Sequence, residues 1–151
     1  PRDPRRGGRL RRDLLYTSAS HSGVTAITFG TTQHYVSAIF SEYANVELDA
    51  PLDGYAGQTV TSTLGDSGPL TPTAPGDLLV VVGDDDQDTT TGVAGSGFTL
   101  ITPGIFATET TQQGIAMEYQ LDPTTAVVHG TLQWQVSYRL PVAMAAFRRA
   151  P

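Results

Sequence analysis

The sequence predicts an all-β protein, an antiparallel β-sandwich of jelly-roll or immunoglobulin-like type behind an extended N-terminal arm. Three observations predict it. Apolar residues alternate with polar ones at period two, most clearly at Ile115, Met117, Tyr119 and Leu121, and again at Leu132, Trp134, Val136 and Tyr138. Sixteen glycines and ten prolines in 151 residues punctuate these runs, as turns punctuate strands. No segment carries a helical apolar period.

The elements follow in order. Residues 1–16 form the arm, and residues 17–151 the sandwich domain, a length that suits one core. Leu14 to Tyr16 read as the arm's apolar anchor or a short edge strand. A first strand is expected at residues 24–29. A second is expected at 35–43, with Val36, Ala38 and Phe40 on one face and Tyr35, Ile39 and Tyr43 on the other. An irregular stretch, ANVELDAPLDGYAGQ, leads to a Thr-rich strand near residues 59–64, and GDSGPLTPTAPGD carries turn chemistry. The run LLVVV at 78–82 reads as a buried central strand. The polar loop GDDDQDTTTG precedes a strand at 98–102, and strands at 115–121, 132–138 and 142–147 close the chain. Pro141 predicts a break or bulge between the last two. About seven or eight strands at this spacing are the mark of a sandwich.

Charge is distributed unevenly. The arm, PRDPRRGGRLRRD, carries Arg2, Arg5, Arg6, Arg9, Arg11 and Arg12 against Asp3 and Asp13. Residues 14–151 carry Arg139, Arg148 and Arg149 against thirteen acids, a net charge of −10. A basic tail on an acidic body reads as an interaction arm. Cysteine is absent, which excludes disulfides and thiolate metal sites. No stretch approaches the about 18 apolar residues that would span a bilayer, and the Arg-rich start predicts no signal peptide.

The segments SAIFSEYANVELDAPLD, PGDLLVVVG, AGSGFTLI, AMEYQL and LQWQVSYRLPVAMAAFR, in that order, resemble a β-sandwich accessory or surface module of bacterial and phage proteins. The resemblance covers roughly residues 24–148, and SGFTL and AMAAFR are its most specific parts. It implies an accessory, adhesive or virion-surface role and no shared catalytic set. The module has further strands ahead of the one at 24–29, where this chain has its arm. That departure implies either a truncated fold or strands supplied by a neighbour, and an open sheet edge that favours self-assembly.

Several residues invite a chemical reading. Gly65-Asp66-Ser67-Gly68-Pro69 resembles the nucleophile segment of trypsin-like proteases, with His34 and Asp49 or Asp53 ahead of it in triad order. The spacings are too short for that architecture, and the segment reads as a turn capped by Asp and Ser. Asp84, Asp85, Asp86 and Asp88 form the densest acidic cluster; Asp84, Asp86 and Asp88 are candidate Ca²⁺ ligands, but the spacing and distal Glu of a calcium loop are missing. No other cofactor is expected. Glu42 and Glu118 offer a carboxylate pair for glycoside hydrolysis, against a plain reading as solvent-facing strand residues. His21, His34 and His129 show no metal-ligand spacing.

Tyr35, Tyr43, Tyr55, Tyr119, Trp134 and Tyr138 are candidates for a sugar-stacking platform, although Trp134 and Tyr138 share a core face by alternation. Tyr55, with Asp53, marks a candidate ligand loop. The arm's arginines suit carboxylate docking. An acidic body disfavours nucleic acid, and the arm lacks the interleaved aromatics of single-strand binders.

The expectation is a non-enzymatic structural protein of a virion surface, a capsid decoration or cement protein. It would dock through its arm with copies of itself or a viral shell, and not with membrane. The alternative is a carbohydrate-binding or adhesive module on a bacterial extracellular surface.

Overall fold

The computed structural model describes residues 14–17, 39–85, 92–108, 111–122 and 124–151. The expected strand at 24–29 and residues 35–38 of the next lie outside them, as do His21, His34, Tyr35, Asp86, Asp88 and the arm's arginines. The chain is all-β, with no helix among the described residues. Its strands are β1 (Leu52–Leu70), β2 (Asp77–Asp85), β3 (Val93–Ala94), β4 (Thr99–Thr108), β5 (Thr111–Asp122) and β6 (Val128–Phe147). They form one antiparallel sheet in the order β1-β6-β2-β5-β4, with β3 joined to β6.

The central strand is β2, the LLVVV run. It pairs with β5 on one edge and the C-terminal part of β6 on the other, and it is buried because both of its faces are covered by other parts of the chain. Its register fixes the two faces. Val81 is level with Glu118 and Met144, and Val80 with Tyr119 and Ala145. The first face carries Val81, Ala116, Val142 and Met144; the second carries Leu78, Val80, Met117, Ala145 and Phe147.

The first face is covered by the sheet itself. β1 and β6 pair along almost their whole length, but between Ser62↔Tyr138 and Leu64↔Gln133 β6 spends residues 134–137 against Thr63 alone. Such an insertion bends a strand pair sharply, and the ribbon folds back there. The Gln133 side chain secures the bend, donating to Thr63 O at 2.9 Å and Trp134 O at 2.8 Å. Leu132 and Trp134 then lie over Val142 and Met144 of the same strand. The layers meet at Gly83, where a Cβ would stand 2.8 Å from Leu132 Cδ1 and 2.9 Å from Trp134 Cη2.

Several local expectations change. The stretch ending at Gln58 is strand from Leu52 onward, and the GDSGPL segment continues β1 with an irregularity at residues 66–69, where Gly68 has φ +81°. Residues 39–43 lie in no strand. Pro141 interrupts nothing. The β2–β6 ladder ends at Gly83↔Val142, so the residue without an N–H stands where β6 has lost one of its two neighbours. On β5 both faces are covered at Ala116, Met117 and Glu118, all buried, whereas Leu121 at its end is 67% exposed.

The second face receives the N-terminal pieces. Leu14, Ile39, Tyr43 and Val46 pack on it, and the Tyr16 ring meets Phe147 edge-on at 5.2 Å. Residues 45–51 run alongside the end of the chain: Arg148 N donates to Pro51 O, Glu47 N to Arg148 O and Ala150 N to Asn45 O.

Candidate functional site

The Pro75-Gly76 turn, with Gly76 at φ +90°, reverses the chain and delivers Asp77 as the first residue of β2. Asp53, second in β1, faces the same turn. Its Oδ2 accepts the Thr73 N–H at 2.6 Å and its Oδ1 accepts the Thr73 hydroxyl. Arg148 Nε donates to Asp53 Oδ1 at 3.1 Å, and its Nη1 to Ala50 O at 3.0 Å. Burial alone would raise the Asp53 carboxyl. The two bonds from Thr73, then the Asp77 carboxyl beside it and last the Arg148 charge, outweigh it and hold the pKa below its usual value. Asp77 moves the other way, raised by burial and by the Asp53 charge, and only partly offset by the Arg149 N–H and the Arg148 charge. The pair therefore titrates as a unit whose proton resides on Asp77. Asp53's side chain is 1% exposed and Asp77 is buried, so this unit acts as a clasp between β1, β2 and the chain end. It is closed to a substrate.

Beside the clasp, on the second face, lies an open cavity of about 700 Å³. Tyr43, Asn45, Tyr119, Leu121 and Arg149 line it. The Tyr43 and Tyr119 rings stand 5.8 Å apart at 57°, and burial raises the Tyr43 hydroxyl's pKa. A second opening, of about 450 Å³, continues along the face between Leu14, Tyr16, Glu42, Leu48 and Pro51. An aromatic floor with a guanidinium and an amide at the rim can stack a planar or pyranose ring and hold its polar groups.

Of the sequence's aromatic candidates, the fold therefore brings Tyr43 and Tyr119 together. Tyr55 stands apart on β1 at 78% exposure, and Trp134 is core. The proposed ligand loop is split in the same way: Tyr55 faces solvent, whereas Asp53 is committed to Thr73 and Arg148.

The remaining constellations fall into structural roles. Ser67 is buried, donating to Gly68 O at 2.8 Å and accepting the Gly130 N–H at 3.0 Å. Its neighbour Asp66 holds His129 Nδ1 at 3.0 Å on the surface and accepts the Gly68 N–H at 2.6 Å. His129 thus meets Asp66 and not the serine. Asp49 is exposed in the bend before β1. Glu42 is exposed beside the second face, while Glu118 is buried on the first, so the sheet separates the two carboxylates. Asp84 and Asp85 belong to β2, half-buried and buried. Among the described residues no three His, Asp or Glu side chains gather to hold a metal.

Sequence reasoning missed the role of Glu118. Its Oε2 accepts the Gly95 N–H at 2.7 Å, and the Thr131 backbone N–H also bonds the carboxylate. Burial pushes its pKa up to about 7 against the pull of those two donors. The only signal was its place in a strand, AMEYQ, whose small partner Ala116 hints at a covered face.

Comparison with protein-family models, with curated proteins and with solved structures returns no match for this chain.

Proposed function

We propose that this chain is a non-enzymatic structural protein of a virion surface, of the capsid decoration or cement kind, which docks through its arginine-rich N-terminal arm. The observation that carries the reading is the seating of Leu14 and Tyr16 on the second face, against Phe147. It tethers the six-arginine segment at one place on an acidic body. Guanidinium forks reaching from that point suit the carboxylates of a neighbouring copy or shell. The burial of Ser67 and the separation of Glu42 from Glu118 support a role without catalysis.

Limited trypsin digestion tests it, since trypsin cuts after any arginine it can reach. Rapid removal of residues 1–12 from the free chain, with protection in assembled material, is the expected result. Equal cutting in both states would make the arm a passive tail.

A second reading, carbohydrate binding, is favoured by the Tyr43–Tyr119 groove with Arg149 at its rim. It expects saccharide affinity that Tyr119→Ala removes, with no dependence on the arm.

A further inference from the structure

Among the described residues β1 is an edge: it pairs with β6 on one side and with no strand on the other. An edge strand presents a row of unpaired backbone donors and acceptors, and natural edges are usually blunted by charge, proline or a bulge. β1 has register shifts at Leu52/Gly54, Ser62/Leu64 and Asp66/Pro69, and its second half carries Asp66 and Pro69, so the unblunted stretch lies between the first two shifts. Between them residues 54–62, GYAGQTVTS, run in regular register with no charge and no proline. Tyr55, Gly57, Gln58, Thr59 and Thr61 are all exposed there. A Cβ on Gly57 would make only ordinary contacts, the nearest being Val142 O at 3.5 Å. Among the described residues nothing demands a bare edge at that point.

We propose that a second copy of this chain pairs with this edge, β1 antiparallel to β1, about a two-fold axis at Gln58. The two sheets then become one. Pairing a strand with its own copy is isologous, so every contact occurs twice. With Gln58 opposite itself, Tyr55 faces the partner's Thr61 and Gly57 faces the partner's Thr59. Tyr55, Gly57, Thr59 and Thr61 share one face of β1, so the exposed tyrosine gains a partner and the glycine leaves room for the approach. Charge selects the same place. Residues 14–151 carry thirteen acids and three arginines, so like copies repel over most of the body, and this stretch offers an approach without facing acids. One pair of nine-residue strands, about 30 Å long, is a narrow contact beside a standard interface of roughly 800 Å² and 20–30 residues per partner. The dimer therefore forms in proportion to concentration. It rests on the assembly reading above for its setting, and its cysteine and lysine variants leave the arm intact.

The chain has no cysteine, so Gln58→Cys supplies a single thiol on the proposed axis. Mild oxidation is expected to link Gln58→Cys into a dimer and to leave Gln135→Cys, on an exposed part of β6, monomeric. In sedimentation, the unaltered chain's mass is expected to double with rising concentration. Thr59→Lys with Thr61→Lys, both at exposed sites, should keep it monomeric with its melting temperature unchanged. Equal linking of the two cysteine variants, or a chain that stays monomeric at millimolar concentration, would overturn the proposal. A dimer that survives the two lysines but is lost when residues 1–13 are deleted would assign the contact to the arm instead.

Discussion

Glu118 Oε2 lies 2.7 Å from the backbone nitrogen of Gly95, and the contact completes a ladder that the backbone leaves unfinished. β3 pairs with β6 at Val93↔Gln133 and Ala94↔Leu132. The next rung would join Gly95 to Thr131, and the N–H groups of those two residues both turn to the Glu118 carboxyl. Gly95 is glycine because a Cβ would stand 2.5 Å from Thr131 Oγ1. A side chain from β5 thereby fastens the folded-over half of the sheet. The arrangement has a cost, for it buries a carboxyl whose Oε1 has no partner among the described residues.

That cost depends on pH. The Glu118 pKa stands at about 7 when folded against an ordinary value of 4.5, so between those values the folded chain holds a proton that the unfolded chain has lost. Its contribution to stability is greatest below the lower value, falls as pH rises through the window, and is level above it. Glu118→Gln keeps an acceptor for Gly95 and cannot ionise. It is expected to gain about 2 kcal/mol over the unaltered chain at pH 8, once residual solvent screening is allowed for, and to gain little near pH 4. Urea melts at the two pH values measure it; a difference that does not change with pH would remove the carboxyl from the account.

The clasp responds with the opposite sign at Asp53. Its pKa is held below the ordinary value, so its stabilisation is present at neutral pH and is lost as pH falls through the folded value. Asp53→Asn turns an amide toward the Thr73 N–H and removes the charge that Arg148 pairs with. A loss of about 1.5–3 kcal/mol is expected at pH 7, the range for hydrogen bonds to a charged group. The loss should shrink in acid. Equal destabilisation at pH 7 and pH 3 in denaturant titrations would count against the assignment.

The layer contact at Gly83 admits a sharper substitution. Gly83→Ala places a methyl within 3 Å of both Leu132 and Trp134, and overpacking of this kind costs about 1–3 kcal/mol. Trp134 is the sole tryptophan and is 2% exposed, so its fluorescence reports the site directly. The expected outcome is a lower denaturation midpoint together with a red-shifted native emission. An unchanged midpoint would mean that the ribbon does not close on β2 as described.

The all-β class, the antiparallel pairing and the central LLVVV strand were legible because each is a local property: period two, turn residues, and a run apolar on both faces. The join of residues 132–138 and 142–147 into one strand was not, because Pro141 is tolerated only through the place where β2's ladder ends. Burial of Glu118 was illegible for a similar reason. Alternation says which residues share a face, but not that residues 128–134 will fold back over it. Of the candidate site, Tyr43 and Tyr119 were named as aromatics, but their meeting depends on residues 39–46 lying across the second face. Asp53 and Asp77 were 24 positions apart in a region read as loop and turn, with no local signal that one arginine would close over them.

Ser67 separates the structural from the catalytic reading of GDSGP most directly. Its hydroxyl donates to Gly68 O and accepts from Gly130 N, stitching β1 to β6 where the register slips between Asp66 and Pro69. Alanine there leaves a buried N–H and a buried carbonyl each short of a partner, at a cost of about 1–3 kcal/mol. Ser67→Ala is therefore expected to lower the denaturation midpoint measurably. Reaction with a serine-directed phosphonate should be absent before and after the substitution, because a hydroxyl committed on both sides and shut from solvent has no route to an acyl group. Stoichiometric labelling of the unaltered chain, lost on Ser67→Ala with no change in stability, would restore the nucleophile and displace the structural reading.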